Sequence, residues 1–120
     1  MMKARILIAE DSAHMRMILK EMLLRHGYQV AGEAENGKEA VEQYDRLKPD
    51  IVTLDLSLPE MSGIEALKAI KAKHPKAKVV MISALGQETQ VIDAMRAGAD
   101  EFFIKPLQAQ RVVEALEAVM

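Results

Sequence analysis

The chain has no cysteine. Disulfides and thiolate metal sites are therefore excluded, although the redox compartment is left unfixed. It also lacks an excess of charge of either sign: 16 Lys and Arg stand against 18 Asp and Glu, giving a net charge of −2 and a pI of about 5.9. That balance is not the basic footprint of a nucleic-acid binder, so no direct contact with nucleic acid is expected. No apolar stretch approaches the length of a membrane span. Ile6 to Ala9, followed at once by Glu10 and Asp11, is too short for a signal-peptide core. The expectation is a cytoplasmic protein with no membrane insertion. Linkers, repeats and low-complexity tracts are missing as well, and the 120 residues read as one domain, 1–120, able to bury a core.

What is present is an alternation of short apolar runs with helical patterns. Ala4 to Ala9 reads as a strand buried on both faces. Ser12 can cap a helix with Met15, Ile18, Leu19, Met22 and Leu23 on one stripe, stopped by Gly27. Tyr28 to Ala34 is a weaker strand whose Gly32, Glu33 and Glu35 suit an exposed edge. Asn36 with Glu39 resembles a capping box, opening a helix with Ala40, Val41, Tyr44 and Leu47 inward that ends before Pro49. Ile51 to Leu54 is a third strand, ending on Asp55. Ser62-Gly-Ile-Glu65 is a capping box for a helix that buries Leu67 and Ile70 and runs to His74-Pro75. Lys78 to Ile82 ends on Ser83, and a helix from Gln87 to Ala97 is expected to hold Val91, Ile92 and Met95 inside, with Gly98 as its stop. Phe102 to Ile104 ends on Lys105-Pro106, and from Gln108 a last helix places Val112, Val113 and Leu116 on one face. Strands separated by helices imply an α/β fold, with right-handed crossovers and helices on both faces of a parallel sheet. The nine methionines are read as core filling. His14, His26 and His74, which have no ligand spacing, are read as surface residues.

In such sheets ligands collect at the carboxyl ends of the strands. The residues that close the strands are Glu10 and Asp11, Asp55, Ser83 and Lys105. Each has a plain explanation: first-turn acids, a turn Asp, a hydroxyl bonded to its own backbone, a solvated turn lysine. Together they place three carboxylates, a hydroxyl and an ammonium at one edge. Three anions repel unless cations intervene. Lys105 offsets one, and a purely oxygen donor set points to Mg2+ for the rest. The hydroxyl and ammonium then suit an incoming phosphoryl group.

These segments resemble the receiver domain of two-component response regulators, and most of all its single-domain chemotaxis branch. The resemblance spans nearly the whole chain and rests on Glu10-Asp11, the run Pro49-Asp-Ile-Val-Thr-Leu-Asp-Leu-Ser-Leu-Pro-Glu-Met-Ser-Gly63, Ser83-Ala84 and Lys105-Pro106, in that order. It implies a flavodoxin-like, doubly wound sheet of five parallel strands in the order 2-1-3-4-5 with five helices, an order for which the chemotaxis receiver is itself a type example. It also implies that Asp55 accepts phosphate from a histidine kinase of the CheA type. Mg2+ would be held by Asp11, Asp55 and the Ser57 carbonyl, with Glu10 acting through water. Lys105 would contact the phosphoryl oxygens, and its bond to Pro106 would be cis. Ser83 and Phe102 would form the switch. The output would be protein binding, with a flagellar motor switch protein of the FliM type as partner and the chain acting as a monomer. Glu10 and Ser83 replace the commoner Asp and Thr, and Phe102 lacks a tyrosine hydroxyl.

Two other readings use the same residues. A haloacid-dehalogenase-like phosphatase also combines Asp, Ser, Lys and paired acids with Mg2+. It would place its nucleophile on the first strand, however, and its acid pair late. The chain would also suit the receiver half of a DNA-binding regulator. On the leading reading it is a phosphoacceptor signalling protein, not an enzyme beyond its own phosphotransfer and autodephosphorylation.

Overall fold

A sheet flanked by helices must be apolar on both faces, and β1 (Arg5–Ala9) shows how the sequence meets that demand. Ile6 and Ile8 point to one face, Leu7 and Ala9 to the other, and all four are fully buried. The computed structural model describes residues 3–120. Among these residues β1 is followed by α1 (Ala13–Arg25), β2 (Gln29–Ala34), α2 (Gly37–Leu47), β3 (Ile51–Asp55) and α3 (Gly63–Lys73). The chain then continues through β4 (Val79–Ser83), α4 (Glu88–Arg96), β5 (Glu101–Ile104) and α5 (Ala109–Val119). The strands pair in parallel in the order β2-β1-β3-β4-β5, the arrangement the resemblance implies.

The strand residues divide the core in two. Leu7, Val52, Leu54, Val79 and Met81 meet Tyr44, Leu67, Ile70, Val91 and Ala94, so α2, α3 and α4 cover one face. Ile6, Ile8, Ile51, Val80, Ile82 and Phe103 meet Leu19, Leu23, Val112 and Leu116, so α1 and α5 cover the other. Each large side chain buried in this way stabilises the fold by about 1.5–3 kcal/mol before entropy is set against it. The edge position of β2 agrees with its weak pattern. Its ladder slips by one residue between Ile6 and Leu7, where Gly32 faces β1. A Cβ on Gly32 would come within 2.7 Å of Leu47 Cδ1, so the glycine lets α2 lie close on this strand.

The caps follow the sequence reading with one difference. Ser12 accepts from Met15 N–H, and Ser62 with Glu65 closes a reciprocal capping box. Asn36 accepts from Glu39 N–H, but the Glu39 carboxylate takes the N–H of Glu35 rather than that of the cap residue, so this box is open. Gly27 and Gly98, at φ +87° and +111°, end α1 and α4 in a backbone region that other residues avoid.

Two expectations about burial are corrected, and that for the methionines holds in part. On α4, Val91 and Ala94 face the core, whereas Ile92 and Met95 are exposed. A side chain one residue from Val91 is turned by about 100°, and the small Ala94 takes the inward place three residues on. The described methionines divide: Met81 is fully buried and Met22 and Met61 pack against the core, whereas Met17, Met95 and Met120 are exposed, and Met1 and Met2 lie outside the described residues. His14 is exposed, but His26 and His74 are half-buried: His26 Nδ1 bonds Met22 O at 2.8 Å, and His74 Nε2 lies 3.2 Å from Asp45 Oδ1.

Candidate functional site

Parallel pairing forces the carboxyl ends of all the strands onto one edge, and β1 and β3 lie side by side at its centre. Connections leave these two strands toward opposite sides of the sheet, which opens the crevice where ligands bind in such folds. Asp55 is the last residue of β3 and Glu10 directly follows β1. Both are almost fully buried, with 3% and 2% of their surface exposed. Burial of two acids on adjacent strands needs a cation, and β5 supplies it from across β4. Lys105 N–H donates to Ser83 O at 2.8 Å, which extends the β4–β5 ladder and aims the lysine at the centre of the edge. Its Nζ reaches Asp55 Oδ2 at 2.6 Å and Glu10 Oε1 at 2.9 Å. The Lys105–Pro106 bond is cis.

The two acids differ in electrostatic state. Burial, and next the nearby Asp55, push the Glu10 carboxyl up to about 7, despite the Ser12 N–H and the Lys105 ammonium that it also meets. Burial also acts to raise Asp55. It is outweighed by hydrogen bonding with Glu10, Lys105 and the Ser57 N–H, so Asp55 is held below the ordinary carboxylate range. Burial would lower Lys105, but its bonds to the two acids leave it raised and charged. Near neutral pH the site therefore holds an ionised Asp55, an ammonium, and a Glu10 close to its midpoint.

The remaining sequence candidates fall at different distances from this centre. Ser83 is buried at the end of β4, next to Asp55's strand. Ser57 N–H donates to Asp55 Oδ1 at 2.8 Å. Asp11, one residue beyond Glu10, is exposed, and no three acidic or imidazole groups among the described residues stand close enough to hold a metal by themselves. The donor chemistry still fits Mg2+: two buried carboxylates share one ammonium, with Asp11 adjacent in the chain and the Ser57 carbonyl in the next loop. Phe102 is half-buried. It lines a groove of about 570 Å³ with Ser83, Val91, Ile92, Met95 and Ile104. This groove begins at the end of β4 and continues between α4 and β5, so Ser83 belongs to both the buried edge and the apolar surface.

Two residues that sequence reasoning passed over act here. Arg16 Nη1 donates to Glu10 O at 2.7 Å and also pairs with Glu33 and Glu35, which ties α1 to β1 and β2. Gln87 bonds both Ser57 Oγ and Ala84 N. The signal for Gln87 was its position: a glutamine stands at the N-cap of α4, where Ser, Thr, Asp or Asn is the rule.

The sequence profile of the response regulator receiver domain matches residues 6–117. The chain is 55% identical to the chemotaxis protein CheY of Thermotoga maritima over 118 residues, covering 98% of each chain. To the CheY of Bacillus subtilis it is 50% identical over 119 residues, 99% of each. Among solved structures, it superposes with a TM-score of 0.93 and 36% identity on a chain from the CheX–CheY–BeF3–Mg2+ complex of Borrelia burgdorferi, covering 98% of this chain and 90% of that one.

Proposed function

The chain belongs to the response regulator receiver family, and from that premise we propose that it is a phosphorylation-activated switch of a chemotaxis two-component system, with Asp55 as the phosphoacceptor. The observation that carries this is the ionised, buried Asp55 at the end of the central strand, with the Lys105 ammonium 2.6 Å from its carboxylate. The phosphatase alternative is not favoured: the first strand ends in the acid pair, and the candidate nucleophile closes the third. The DNA-binding alternative is not favoured either, since relatives at 50–55% identity are chemotaxis proteins matched over nearly their full lengths.

In the reaction, an Asp55 carboxylate oxygen attacks the phosphorus of a phosphohistidine. The P–N bond breaks, its electron pair stays on the imidazole nitrogen, and an acyl phosphate forms. Lys105 moves from sharing two carboxylates to pairing with phosphoryl oxygens. Glu10 and Asp11, the Asp55 carboxylate and the Ser57 carbonyl are the groups that would hold Mg2+. When bound, the metal supplies positive charge against the charge on the transferring group. The protein acts as a signalling phosphoacceptor, with only its own phosphotransfer and autodephosphorylation as chemistry. It works as a single receiver domain over residues 1–120, as a monomer, in the cytoplasm.

Phosphorylation adds about −1.5 to −2 charges at the edge. Ser83 turns toward that charge, and Phe102, on the wall of the adjoining groove, moves into the space it leaves. The groove of α4 and β5, with α5 beside it, is then the surface presented to a motor switch protein of the FliM type. The phosphate donor is a kinase of the CheA type. A partner can favour one of two states only through differential affinity, so binding and phosphorylation must enhance each other. The test is the affinity of a motor-switch peptide with and without beryllofluoride and Mg2+. We expect wild type to gain about 5- to 150-fold, the usual range of such coupling, and Ser83→Ala to lose most of that gain. No gain in wild type contradicts the switch, and an equal gain in Ser83→Ala removes the hydroxyl from it.

A further inference from the structure

Gln87 sits at the N-cap position of α4, yet its side chain makes no cap hydrogen bond. Its amide is engaged elsewhere at both ends. Oε1 accepts from the backbone N–H of Ala84 at 2.6 Å, and Nε2 donates to Ser57 Oγ at 2.9 Å. The turn that folds Gln87 back over its own loop passes through Gly86 at φ +91°. The two loops it joins leave Asp55's own strand, β3, and its neighbour β4. One carries Ser57, whose N–H is already bonded to Asp55 Oδ1. The other begins at Ala84, directly after the buried Ser83. A phosphoryl group on Asp55 brings new oxygens to this place, and they need N–H donors. The N–H of Ala84 cannot serve one of them while it is held by Gln87. A half-buried amide bonded at both ends, once to a backbone N–H, is more than a solvated surface glutamine.

We propose that Gln87 is a positioning residue: a clasp that holds the β4–α4 loop against Ser57 in the unphosphorylated state, and that must release Ala84 N–H before a phosphoryl group on Asp55 is fully bound. The inference rests on the reading of Asp55 as the acceptor. The clasp stabilises only the resting arrangement, so its loss favours the phosphorylated one.

Beryllofluoride binding with Mg2+, followed by amide NMR on the whole chain, tests it. Gln87→Ala should bind beryllofluoride more tightly by roughly three- to tenfold, the equivalent of one or two net hydrogen bonds, with a melting temperature equal to or below that of wild type. A residue with a merely structural role would not tighten binding. Ser57→Ala removes one arm of the clasp, so Gln87→Ala combined with Ser57→Ala should gain no more over Ser57→Ala than a broken clasp allows, less than the two single effects together. Wild type supplies a measurement that needs no variant: the Ala84 amide should exchange slowly in the free protein. Unchanged or weaker binding by Gln87→Ala, or rapid exchange at Ala84, overturns the clasp while leaving Asp55 as acceptor intact. Failure of wild type to bind beryllofluoride at all would overturn both.

Discussion

The buried Glu10 and Asp55 and the half-buried Lys105 form a group with two potential negative charges and one positive, and its pH response follows from that imbalance. The Glu10 carboxyl stands at about 7 in the folded protein against 4.5 in a free chain. The folded state thus keeps a proton that the unfolded state has released, and its stability rises as pH falls from about 7 toward 4.5. Asp55 acts in the opposite sense, being held low, and its contribution is lost only below the ordinary carboxylate range. In chelator, denaturant melts should therefore give greater stability at pH 5.5 than at pH 8, by on the order of 2 kcal/mol. Asp55→Asn should reduce that difference and stabilise the metal-free protein at pH 8, because Lys105 is then shared by one anion only. A stability independent of pH in this window would contradict the arrangement. The members of this group were legible in the sequence as strand-ending residues. Their division into a paired core of three and an exposed Asp11 was not, because it depends on how far a lysine reaches across β4.

At the scale of the element, α4 carries an inward stripe of small residues and an outward stripe of large ones. Hydrophobic periodicity weights Ile92 and Met95 above Ala94, so the sequence pattern pointed to the wrong flank of the helix. The same exposed Ile92 and Met95 line the groove with Phe102, where a partner would cover them. Val91→Ala should cost about 1–3 kcal/mol through lost burial and the cavity it leaves, whereas Ile92→Ser should change stability by less than about 1 kcal/mol. Ile92→Ser should instead weaken the motor-switch peptide. Paired melts and binding titrations check both, and a stability loss at Ile92 equal to that at Val91 would contradict the assignment of faces. Gly63, the first residue of α3, shows the reverse case of a legible position with a hidden reason. Its Cβ would collide with the backbone carbonyl of Asp55, a contact between β3 and the helix start that no motif spacing reveals.

For the whole molecule, the alternation of strand and helix made the parallel sheet readable from the residues, whereas the strand order entered through family resemblance. That order decides function, since it sets β1 and β3 together and leaves β5 within reach of both. A ligand that binds only this assembled edge stabilises the entire fold. Mg2+ at a hundredfold excess over its dissociation constant should add about 2.7 kcal/mol, raising the melting temperature of wild type more than that of Asp55→Asn. The absence of any Mg2+-dependent shift would contradict the metal assignment. The central claim, that this edge exists to receive a phosphoryl group on Asp55, is tested most directly by incubation with acetyl phosphate and Mg2+, followed by intact-mass and site mapping. The account predicts one phosphoryl group per chain, on Asp55, released by hydroxylamine as an acyl phosphate is, and absent from Asp55→Asn and Asp55→Ala. No adduct on wild type, or an adduct that persists in either variant, would contradict it.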